Sequence, residues 1–156
     1  MSIKRRTLLH GTLASGAVAL VAGTGLLTPR AVLAMWPKSA FEAGDVNAAL
    51  SNLLGSDSAL SSDQIQIKAP DIAENGAVVP VTVSTSISNV ESISIVASKN
   101  NQPLTSNFML GPGTEPFVST RIKMAKTSEV IAVVKADGNL YTSRKEVKVT
   151  IGGCGG

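Results

Sequence analysis

The chain of 156 residues predicts an immunoglobulin-like antiparallel β-sandwich with one short N-terminal helix and a flexible C-terminal arm. Three features carry this expectation. About seven short apolar runs follow residue 64, and in most of them apolar residues alternate with polar ones, the period of strands with one buried face. Turn chemistry separates the runs at Asn75-Gly76, Asn100-Asn101, Gly111-Pro112-Gly113 and Asp137-Gly138, as in all-β domains. Only one stretch of the body has helical spacing. The Cys…Trp…Cys core of antibody domains is absent, so only the architecture is implied.

Residues 1–34 stand apart from this domain. Lys4-Arg5-Arg6-Thr7-Leu8-Leu9 sets two arginines before an apolar run to Leu27 that is punctuated by Gly11, Gly16, Gly23 and Gly25. Val32-Leu33-Ala34 supplies the small residues of a signal-peptidase site, so cleavage after Ala34 is expected. Arg5 and Arg6 followed by x-Leu-Leu read as a twin-arginine signal, which implies export in the folded state. An ordinary secretory signal with a basic leader is the alternative. The glycines and the cleavage site argue against a retained membrane anchor, and no other stretch is apolar enough to span a bilayer.

From residue 35 the elements follow in order. After a lead-in with Trp36 and Pro37, the positions Val46, Ala49, Leu50, Leu53 and Leu54 repeat at helical spacing. Asp45 can cap this helix, about 45–54, and Gly55 can end it. Ile65 and Ile67 mark a first strand, Val79, Val81 and Val83 a second, and Ile93, Ile95 and Ala97 a third. Leu104–Leu110 reads as a fourth, and Val118, Thr120, Ile122 and Met124 alternate as a fifth. Val130–Lys135 is continuously apolar and suits a central strand. Val147, Val149 and Ile151 form the last. The body is thus expected over 35–151, without an internal repeat, and residues 152–156 form the arm.

That arm, Gly152-Gly153-Cys154-Gly155-Gly156, holds the only cysteine of the chain. Glycine admits both signs of φ, and such a segment cannot bury enough apolar surface to offset its ordering entropy. Free cysteine is usually buried, so a thiol between two glycine pairs at a chain end reads as a handle. Three residues from Ile151 to Cys154 give the sulfur roughly 10 Å of reach at about 3.3–3.6 Å per residue. Lys148 is the nearest cation in sequence and the terminal carboxylate lies two residues away. That anion disfavours a second negative charge, so the free thiol is expected to be quiet until a partner's site activates it.

Composition excludes several functions. The formal net charge of +3 belongs to the leader. Without Lys4, Arg5, Arg6 and Arg30, ten basic and eleven acidic residues remain, and nothing argues for nucleic acid. Cleavage also removes His10, the only histidine. What remains cannot form a Ser-His-Asp triad, a Cys-His dyad or a Cys/His zinc site, and one thiol makes no internal disulfide. No carboxylate pair suggests a general acid and base, so neither catalytic residues nor a cofactor or metal is expected. A single cysteine in an oxidising compartment implies either an intermolecular disulfide or a reactive thiol.

Ile151-Gly-Gly-Cys-Gly-Gly at the C-terminus, the twin-arginine leader, and Pro70-Asp-Ile-Ala-Glu-Asn-Gly-Ala-Val-Val-Pro-Val resemble the SoxY family, the sulfur-carrier subunits of the Sox sulfur-oxidation system. The resemblance covers essentially the whole chain after the leader. It implies a heterodimer with a SoxZ subunit in the periplasm, and sulfur intermediates held covalently on Cys154. Loading would proceed through a Sox cytochrome, with later visits to a sulfate-releasing hydrolase and, where present, a sulfane dehydrogenase. The carrier itself would catalyse nothing and would meet the membrane only during export. Two rival readings remain open: a carrier activated at the Gly156 carboxylate, as in ubiquitin-like proteins, and a structural sandwich whose cysteine forms an intermolecular disulfide.

Overall fold

The computed structural model describes residues 36–152. Arg5, Arg6, the cleavage site at Ala34, and Gly153, Cys154, Gly155 and Gly156 lie outside the described residues.

Two helices come first: α1 (Lys38–Phe41) and α2 (Val46–Leu54). The Asp45 side chain accepts the Ala48 N–H at 2.9 Å, and Gly55 closes α2 at φ 80°. Both ends are the ones the sequence indicates, one through an N-cap carboxylate and one through a left-handed residue that only glycine adopts without strain. The α1 turn was not foreseen, since four residues are too few to show a helical period.

Nine strands follow: β1 (Leu60–Ser61), β2 (Ile65–Lys68), β3 (Ile72–Ala73), β4 (Val79–Thr85), β5 (Val90–Ala97), β6 (Leu104–Met109), β7 (Phe117–Ile122), β8 (Ser128–Ala136) and β9 (Asn139–Val149). One sheet has the order β1-β9-β8-β5-β6, with β3 also pairing β9, and the other has the order β2-β4-β7. The fold is an immunoglobulin-like sandwich. Its long pairings are antiparallel, whereas β1 and β3 join β9 in parallel. The chain between them drops into the opposite sheet as β2, so β9 receives one short partner near its start and another at its end.

The inter-sheet core holds Val79, Val81 and Val83 from β4 against Ile93 and Ile95 from β5 and Val130, Ala132 and Val134 from β8. Met124 lies just past β7 and is fully buried in this core, so the predicted alternation outlasts the strand that carries it. The other face of the large sheet presents Val96, Leu104, Ile131, Val133 and Leu140 to Ala40, Ala49 and Leu50 of the helices. β8 is therefore covered on both faces, which explains its unbroken apolar run.

Asp137 (φ 49°) and Gly138 (φ 74°) form the two-residue β8–β9 turn, the geometry that Asp-Gly favours. The β5–β8 register slips at Glu91. From there its carboxylate accepts the Gly138 N–H at 3.1 Å and pairs with Lys135 at 3.1 Å. The Gly138 N–H first, and the Lys135 ammonium with it, hold the Glu91 carboxyl below the ordinary glutamate range. A depressed carboxyl stabilises the fold at neutral pH, and this contribution fades as pH falls through the folded-state value. Melting curves against pH should therefore show Glu91→Gln less stable than the parent at neutral pH, with the gap closing below the ordinary glutamate range. Asp45→Ala removes the α2 cap and should cost about 1 kcal/mol in urea unfolding.

Candidate functional site

The end of β9 is held from two sides. Along one edge, Lys148 N–H donates to the Asp71 carbonyl at 2.9 Å and Thr150 N–H to the Ala73 carbonyl at 3.1 Å, continuing the β3 ladder past Val149. The Thr150 hydroxyl donates to the Glu74 carbonyl at 3.0 Å. Buried Gly76 then donates its N–H to the Ile151 carbonyl at 2.7 Å and accepts the Met124 N–H at 2.7 Å. On the other side, the Thr127 hydroxyl oxygen accepts the Val149 N–H at 2.9 Å. Every residue from 148 to 151 thus has a polar main-chain bond to the body.

Gly152 is the last described residue, and its position has a steric reason. A Cβ there would collide with the Ala125 carbonyl oxygen. Only glycine permits that approach. Ala125 is itself fixed, because the Asn100 side chain accepts the Ala125 N–H at 2.9 Å and donates to the Lys123 carbonyl at 2.8 Å. The sequence reading placed Gly152 among the flexible glycines and carried no signal for this contact. It read Gly76 only as part of the Asn75-Gly76 turn, although Pro70–Val81 was singled out; within that segment, Asp71 to Gly76 forms the belt around the root of the terminus. Ile72, Val78 and Ile151, at or beside these anchoring points, are exposed.

Of the sequence-predicted site residues, the structure places Gly152 alone. The chain has only two residues between this seat and Cys154, counting the cysteine itself. Among the described residues no three His, Cys, Asp or Glu side chains converge as a metal site, and no helix is long and apolar enough to cross a membrane.

The family model for sulfur oxidation protein SoxY matches residues 50–154. The sulfur carrier protein SoxY from Chlorobium limicola f thiosulfatophilum is 50% identical, with a TM-score of 0.60 over 66% of this chain and 94% of that one. A superoxide reductase (neelaredoxin) from Ignicoccus hospitalis is 20% identical, with a TM-score of 0.53 over 58% of this chain and 94% of that one, a likeness of fold alone. No curated protein matches. The family match spans most of the chain and takes in both the belt and the terminal segment through residue 154, so the chain belongs to the SoxY family of sulfur oxidation proteins.

Proposed function

We propose that this protein is a covalent carrier of sulfur intermediates on the Cys154 thiol during periplasmic oxidation of thiosulfate and other reduced sulfur compounds. One observation supports the reading above the rest: the family match and a 50% identical sulfur carrier protein meet in a chain whose only cysteine stands just past a fixed root. Loading joins the thiol sulfur to the sulfane sulfur of thiosulfate, with loss of the thiol proton and of two electrons to a Sox cytochrome. Hydrolysis then cleaves the terminal S–S bond, water supplies the fourth oxygen of sulfate, and a persulfide stays on Cys154. A sulfane dehydrogenase, where present, oxidises that remaining sulfur. These partners supply the catalysis.

A SoxZ-like subunit completes the carrier as a heterodimer, and the Arg5-Arg6 signal takes the folded pair to the periplasm. Gly152 sets where the arm leaves the body, and Gly153, Gly155 and Gly156 keep the backbone around the sulfur thin and free to turn. A thin tip enters narrow active sites while the sandwich stays outside.

Intact mass of protein recovered from cells given thiosulfate, read before and after reductant, tests the reading. A reductant-labile adduct of added sulfur or sulfonate should map to Cys154 and vanish in Cys154→Ser, whose unfolding midpoint should match the parent. A bare thiol or only a disulfide dimer under all such conditions overturns the proposal in favour of a structural cysteine.

Root and tip separate by substitution. Gly153→Pro fixes one φ within the arm and should slow turnover by partner enzymes on the order of tenfold or more while the unfolding midpoint matches the parent. Gly152→Ala instead meets the Ala125 carbonyl. It should loosen the end of β9, seen as faster amide exchange at Gly76 and Thr150.

A further inference from the structure

β6 and β7 are outer strands of opposite sheets, and a cleft of about 530 Å³ lies between them. Asn100 and Gln102 line it from the β5–β6 connection, Ser106 from β6, and Thr120, Arg121 and Lys123 from β7 and its exit. No carboxylate lines the cleft, and among the described residues neither Arg121 nor Lys123 forms an ion pair. The Ser106 hydroxyl is shielded from solvent and has no hydrogen-bond partner. A hydroxyl in that position is costly unless something pairs with it. Two cations, amide and hydroxyl donors and a waiting O–H make a lining suited to a small, multiply hydrogen-bonding anion.

The cleft shares a wall with the root of the arm. Asn100 lines it and, through the same side chain, holds Lys123 and Ala125, whose carbonyl seats Gly152. Cys154 follows two residues later, so its sulfur has roughly 7 Å of reach from that seat.

We propose that this cleft binds the –SO₃ end of a sulfur oxyanion. The inference rests on the carrier reading for its choice of anion, while the basic lining stands independently. The oxyanion has two sources, free thiosulfate or sulfate and a sulfonate conjugated to Cys154. In either case Arg121 and Lys123 hold the charged end, and a conjugated sulfonate keeps its bond to the arm.

Side-chain amide NMR of Asn100, Asn101 and Gln102 reads the cleft directly. Cys154→Ser, which cannot be conjugated, is titrated with sodium thiosulfate and with sodium chloride at matched ionic strength. Protein S-sulfonated at Cys154 is compared with the bare thiol in parallel. Saturable shifts with thiosulfate identify free anion as a ligand, and shifts confined to the S-sulfonated protein identify the arm's cargo. Either supports the site, provided that Arg121→Gln with Lys123→Gln weakens the response about tenfold or more. Silence in both samples, an equal response to chloride, or an unchanged response in the double variant overturns it. Intact mass of the parent protein recovered from cells given thiosulfate shows separately whether Cys154 loads, so a failed cleft and a failed carrier give different results.

Discussion

The hydrogen bond from the Gly76 N–H to the Ile151 carbonyl is the contact on which the rest of this architecture depends. A C-terminal strand on the rim of a sandwich ordinarily frays, since its last residues add little burial and lose one partner each. Here the chain from Asp71 to Gly76 runs alongside and supplies main-chain partners one after another. The constraint is mutual. Gly76 also takes the Met124 N–H, and Met124 is fully buried between the sheets. The root of the terminus is thereby tied to the core, through backbone that a bulky side chain would not let so close.

That anchoring needs a body that does not shift, and the large sheet owes its rigidity to cover on both faces. β8 gives Val130, Ala132 and Val134 to the inter-sheet core and Ile131 and Val133 to the helices. Without α2 the second set would face water, at about 25 cal/mol per Å² of apolar surface. The small helical layer therefore completes a core and leaves the rim free for function. Its placement on the face away from the small sheet also leaves the β6–β7 seam uncovered.

Much of this was legible in the residues. Alternating runs, together with the continuously apolar Val130–Lys135, gave seven strands because each has a face in the inter-sheet core, and Asp45 and Gly55 gave both ends of α2. The parts that were not legible have physical reasons. β1 and β3 are two residues long, too short for any period, and exist only because β9 is there to pair with. The first half of β9 reads Asn-Leu-Tyr-Thr-Ser-Arg, with a partly exposed face that dilutes its alternation. The role of Gly152 depends on Ala125, which is remote in sequence, and flexibility and close approach both call for glycine. The cleft needed two edge strands brought together from different sheets, which no local pattern announces.

Pinning the root has a quantitative consequence for a thiol carried at Cys154. Chain length alone keeps a group two residues past Gly152 within roughly 7 Å of that seat, so under the proposed function a partner docked on the body would meet it at an effective concentration on the order of 1 M. Were the chain to peel back to Val149, the radius would grow to roughly 17 Å and that concentration would fall roughly fifteenfold. Three residues of fraying would thus cost about as much as losing a moderate binding contact. Extra length would reach deeper pockets but dilute the cargo at each of them. Under the proposed carrier function, the Gly76–Ile151 bond and the seat on Ala125 favour concentration over reach, which suits cargo that is to be delivered to one place.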